Sequence, residues 1–190
     1  MALTAVAALE DLRQYAASRS FTISPPLFAI FESVERFSES IGNDPYAKSF
    51  LVALLRDSSE LREAVTALGG DPDAGADFID ACIEADPIDG YGETALYSDA
   101  NRHDDEERPA IIDLTIAAAQ SAGRTDLRLR DLAIALIDFG FRIEADVELD
   151  EWNDPRMRTE PALSHIADAF DASLDVPLAD LRKRLAAQED

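Results

Sequence analysis

Two histidines and one cysteine are the side chains in this chain best suited to metal or nucleophilic chemistry, and none has the neighbours such chemistry requires. His103 lies in Asn101-Arg102-His103-Asp104-Asp105-Glu106-Glu107. A histidine beside carboxylates can hold a divalent cation, but this run lacks regular ligand spacing and reads as a solvated acidic stretch. His165 forms no sequence pair with it. Asp86-Pro87-Ile88-Asp89-Gly90-Tyr91-Gly92-Glu93 has the composition of a calcium loop without its alternating ligands or closing glutamate. Cys82 sits in Phe78-Ile79-Asp80-Ala81-Cys82-Ile83. Among such neighbours a lone cysteine behaves as a small core residue, and it can form no intrachain disulfide. Gly-x-Ser-x-Gly, His-Glu-x-x-His and Cys-His arrangements are absent. None of the eight glycines is followed by lysine, so no phosphate loop is present. The sequence predicts no catalytic residue, no metal and no cofactor.

Charge narrows the partners. The 190 residues include 39 acidic and 17 basic ones, a net charge of −22, which argues against nucleic acid and anionic membranes. The basic residues are nearly all arginine, with lysine only at 48 and 183. Residues 1–10 lack the basic start and long apolar stretch of a signal peptide, and no apolar run is long enough to span a bilayer. A cytoplasmic location is the expectation. With 47% hydrophobic residues, the chain can bury a core as a single domain over 1–190.

The elements available to position any site are helices. Residues 3–17 read as an Ala-rich helix with Leu9, Leu12 and Ala16 on one side. Ser24-Pro25-Pro26 starts a second, with serine as cap and proline at the first position, and Leu27, Ile30, Phe31, Val34, Phe37 and Ile41 follow helical spacing up to Gly42. Asp44-Pro45 leads into Ser49-Phe50-Leu51-Val52-Ala53-Leu54-Leu55, apolar on nearly all sides and so a buried helix. Ser58 or Ser59 caps a helix with Leu61, Ala64, Val65 and Leu68, ended by Gly69-Gly70. Asp71-Pro72 opens another that carries Phe78, Ile79, Cys82 and Ile83.

Residues 87–108 have no sustained period and read as a linker. Pro109 then opens a helix with Ile111, Leu114, Ala118 and Ala122, closed by Gly123. Asp131-Leu132-Ala133-Ile134-Ala135-Leu136-Ile137 echoes the first buried helix, with Ala53 aligned to Ala135. An acidic insertion follows at 144–160, and Asp175-Val176-Pro177 introduces a last helix with Leu178, Leu181 and Leu185. The expected fold is all-α: a pseudo-twofold duplication of a four-helix repeat, copy one over 25–86 and copy two over 109–187, with an extra N-terminal helix within 1–20.

This order resembles the N-terminal domain of the Clp family of AAA+ unfoldases over residues 25–187. The likeness rests on Phe50-Leu51-Val52-Ala53-Leu54-Leu55-Arg56-Asp57, on Leu132-Ala133-Ile134-Ala135-Leu136-Ile137 and on Leu68-Gly69-Gly70-Asp71-Pro72. Gly42-Asn43-Asp44-Pro45-Tyr46 after an extra helix is most similar to ClpV members, which recycle type VI secretion sheaths. The resemblance implies a domain that performs no chemistry and docks substrates, adaptors or a sheath helix. The family often carries Glu-His before the buried run, where this chain has Lys48-Ser49 and Arg130-Asp131. Lys48 and Arg130 would repel a phosphorylated arginine's guanidinium, so the resemblance does not carry phospho-arginine recognition.

Aromatics outside the helical pattern are the remaining binding candidates. Tyr91, Tyr97 and Trp152 stand in polar segments, and such rings either pack their loops down or anchor a partner. Trp152 lies within an acidic run from Glu144 to Asp154. Leu9 and Leu12 invite the same two readings, with a partner groove beside their helix. The leading expectation is a non-enzymatic module that holds a peptide, helix or adaptor in an apolar groove, with an AAA+ unfoldase as a possible associate. The rival is a free-standing acidic inhibitor or immunity-type protein that neutralises a basic protein.

Overall fold

The computed structural model describes residues 5–41, 47–85, 111–138 and 176–188, and these are mostly helical. In chain order they form α1 (Ala5–Ser18), β1 (Thr22–Ile23), α2 (Pro25–Ile41), α3 (Ala47–Asp57), α4 (Ser59–Ala67), α5 (Pro72–Ala85), α6 (Ile111–Ser121), β2 (Asp126–Leu127), α7 over 129–138 and α8 (Leu178–Ala187). The all-α expectation holds. No helix among the described residues is long and apolar enough to cross a membrane. The linker at 87–108 and the insertion at 144–160 lie outside the described residues.

The helix ends follow from local chemistry. The Ser58 hydroxyl accepts the Leu61 N–H at 3.2 Å and caps α4. An Asp71 carboxylate oxygen accepts the N–H groups of Asp73 and Ala74 at 3.0 and 3.2 Å, with Pro72 at the first position of α5. At the other end of α4, the Gly70 N–H reaches the Val65 carbonyl and the Gly69 N–H that of Thr66, with Gly69 at φ +93°. This double closure needs a left-handed residue, which glycine supplies without a Cβ clash.

The same closure ends α1 and α6. Ser20 and Phe21 donate to Ala17 and Ala16, and Gly123 and Arg124 donate to Gln120 and Ala119. The left-handed residue is Ser20 (φ 66°) in the first case and Gly123 (φ 69°) in the second. Each closure turns the chain into a two-residue strand. β1 and β2 then pair in parallel, Thr22 with Asp126 and Ile23 with Leu127, joining segments far apart in sequence.

One apolar cluster draws on every described helix, from Leu12 of α1, Phe31 of α2, Leu54 of α3 and Leu61 of α4 to Ile79, Ile112, Leu136 and Leu181 of the later ones. Phe31 and Phe50 meet edge to face, their centroids 5.5 Å apart. Leu54 and Leu136 are 0% and 1% exposed, as the buried-helix reading of α3 and α7 requires.

Candidate functional site

Several polar side chains of the described residues hold elements together. Arg124, partly buried, ion-pairs with the buried Asp131, which also accepts the Arg128 N–H at 2.8 Å and so caps the start of α7. Arg130 is itself buried and donates to the Gln188 carbonyl at 2.6 Å, while the Gln188 amide donates to the Glu60 carbonyl at 3.3 Å. Arg130 therefore fastens the end of α8 to α7, and the Gln188 amide fastens it to α4. Among the described residues, no group of three or more His, Cys, Asp or Glu could hold a metal ion.

The outer side of α5 is different. Its inner side, Ala76 and Ile79, is buried, and the helix packs chiefly on α3. Ala74, Phe78 and Ala81 are exposed at the i, i+4, i+7 spacing of one helical face. Phe78 is 36% exposed, one of two large hydrophobic side chains exposed among the described residues; Phe37 on α2, at 40%, is the other. Alongside runs a second stripe, Asp73, Asp77 and Asp80, at the same spacing.

Two arginines fix that acidic stripe. Arg62 of α4 grips Asp73 with both terminal nitrogens, at 2.7 and 3.0 Å, while also donating to the Leu55 carbonyl at 2.7 Å. That hydrogen-bonded guanidinium holds the Asp73 carboxyl below its ordinary range. Arg56 of α3 lies between Asp77 and Asp80, hydrogen-bonded to Asp80 and 3.5 Å from Asp77. The arginines approach from the α3 and α4 side. Asp73 and Asp77 still present 71% and 78% of their side chains to solvent.

Of the residues proposed from sequence as partner contacts, Leu9 and Leu12 lie in the core, 7% and 0% exposed, so the chain's own residues already cover them. Tyr91, Tyr97 and Trp152 lie outside the described residues. The sequence groups Phe78 with Ile79, Cys82 and Ile83 as apolar residues of one helix, and of the first two Phe78 is exposed and Ile79 buried. No pattern in the sequence separates Phe78 from Ile79, since at helical spacing the acidic residues 73, 77 and 80 lie at about equal angles from both. No known family model, curated protein or solved structure matches the chain.

Proposed function

We propose that this chain is a non-enzymatic protein-binding module, similar to the N-terminal domain of Clp unfoldases, that docks a peptide, helix or adaptor on the outer face of α5. The observation that carries the reading is Phe78, exposed between two exposed alanines on a helix whose other side is firmly packed. A rigid apolar ridge needs little ordering when a partner docks, which keeps the entropic cost of binding low. To test this, a photo-crosslinking residue is placed at Ala74, with Ala117 on exposed α6 surface as control, in native extract. Discrete adducts at 74 and none at 117 support docking at α5; identical adduct patterns refute it.

We also propose that the chain is a duplicated unit, in a phase that matches α2, rather than α3, to α7 and so replaces the alignment of Ala53 with Ala135. α1, its left-handed Ser20 and β1 lead into α2 as α6, its left-handed Gly123 and β2 lead into α7, with matching hydrogen bonds at both closures. In that phase α1 is the first element of copy one, rather than an appendage to it. The likeness to the type VI secretion members rests on Gly42-Asn43-Asp44-Pro45-Tyr46 preceded by an extra helix, and without that helix as an extra we do not extend the proposal to sheath recycling.

The inhibitor reading keeps one specific support: the net charge of −22 together with the outward carboxylates of Asp73 and Asp77. Phe78→Ala separates the two readings. It weakens a partner docked on the apolar face of α5, whereas a charge-driven inhibitor keeps its affinity and depends on ionic strength alone.

A further inference from the structure

We infer that the partner docked on α5 is a basic amphipathic helix, whose apolar side chains lie along Ala74-Phe78-Ala81 and whose lysines or arginines reach Asp73 and Asp77. The inference rests on the docking reading above and specifies its occupant. Residues 74 and 81 are seven apart, so the apolar ridge runs about 10 Å along the helix, two turns of a partner. The alanines at its ends let a second backbone approach closely, and Phe78 supplies the side chain that fills the gap between ridges. The acidic stripe runs parallel to it at the same spacing. A helix with apolar residues at i, i+4 and i+7 and cations one position aside would match both stripes together.

Charge selects the sign of that partner. Between residues 47 and 85 the chain has eight acidic residues and three basic ones. Arg56 and Arg62 bind their carboxylates from the α3 and α4 side, and a carboxylate has capacity for about four hydrogen bonds, so Asp73 and Asp77 retain acceptors toward solvent. An acidic helix would meet repulsion from these groups and from the field of the whole protein. Cations of the partner can also lie over the Phe78 ring.

The experiment uses the full chain and two fluorescent helical peptides with the same leucines at i, i+4 and i+7, one with lysines and one with glutamates beside them, read by anisotropy. The inference expects the lysine peptide to bind, and Phe78→Ala and Ala74→Glu each to weaken it by about tenfold or more. Asp77→Lys should cut its association rate, and melting curves like the parent's would show that these surface variants fold. Equal, Phe78-dependent binding of the glutamate peptide would overturn the basic partner while leaving the docking face intact. Binding of the lysine peptide that ignores both Phe78→Ala and Ala74→Glu would overturn the docking face itself. Failure of both peptides to bind would overturn both readings.

Discussion

Tyr15 of α1 donates its hydroxyl to Asp113 of α6, 2.8 Å from Oδ1 and 3.0 Å from Oδ2, across 98 residues of sequence. Arg19 completes the contact, its guanidinium 3.7 Å from the Tyr15 ring centre and 3.6 Å from Asp113. Tyr15→Phe keeps the ring and the stacked arginine but removes the donor. We expect a loss of about 1 kcal/mol, since Asp113 keeps its ion pair and has access to water. Denaturant unfolding would measure it, and an unchanged midpoint would mean that the contact contributes nothing.

Leu54→Asp and Leu136→Asp each place a charge where the side chain has essentially no access to water. Each should cost on the order of several kcal/mol, enough to unfold a domain of ordinary stability. Circular dichroism melting checks this. A parent-like melt for either variant would contradict the packing of α3 or α7.

Ser20 and Gly123 occupy the same left-handed position after α1 and α6, and only one of them is the residue that conformation favours. Ser20→Gly should stabilise the protein and Gly123→Ala should destabilise it, each by about 1 kcal/mol. A Cβ at Gly123 would meet nothing within 4 Å, so that cost is one of backbone conformation alone. Opposite shifts in denaturant midpoint are the expected result; shifts of the same sign would show that the two closures are not equivalent.

Acid should weaken the α4–α5 junction. The Arg62 guanidinium lowers the Asp73 carboxyl, and Arg128 lowers that of Asp126, so both stay charged in the fold at a pH where the unfolded chain takes up protons. Each therefore contributes stability above the unfolded carboxylate pKa of about 4, and that contribution is lost as pH falls through the folded value. For solvent-exposed Asp73 the effect is small. Arg62→Gln removes its source, so parent and variant stabilities should converge between neutral pH and about pH 3. Stability curves that stay parallel across that range would rule out the linkage.

Much of this fold was legible because helix chemistry is local. Ser58, Asp71-Pro72, Gly69 and Gly123 mark helix ends by interactions within a few residues, and α3 and α7 declare their burial through unbroken apolar runs. The strands were not legible, since two residues carry no alternation and the ladder depends on a partner segment far along the chain. Ser20 concealed the equivalence of the α1 and α6 closures, because serine is not the usual mark of a left-handed turn. The candidate site was the least legible part. Helical period places Phe78 and Ile79 about 100° apart, and only the packing of α3 decides which of the two faces inward.

The fastening of Gln188 to Glu60 and of α8 to α4 has a consequence for how the chain is made. Helices α1 to α5 leave the ribosome while the residues that will cover α4 are not yet synthesised. At typical elongation rates of 5–20 residues per second, the roughly 100 residues after α5 take about 5 to 20 s. Throughout that interval the side of α4 destined for α8 stands uncovered, and β1 has no strand to pair with. Until α8 emerges, the nascent first half therefore exposes a face of α4 and an unpaired strand, the kind of surface through which partly folded chains aggregate.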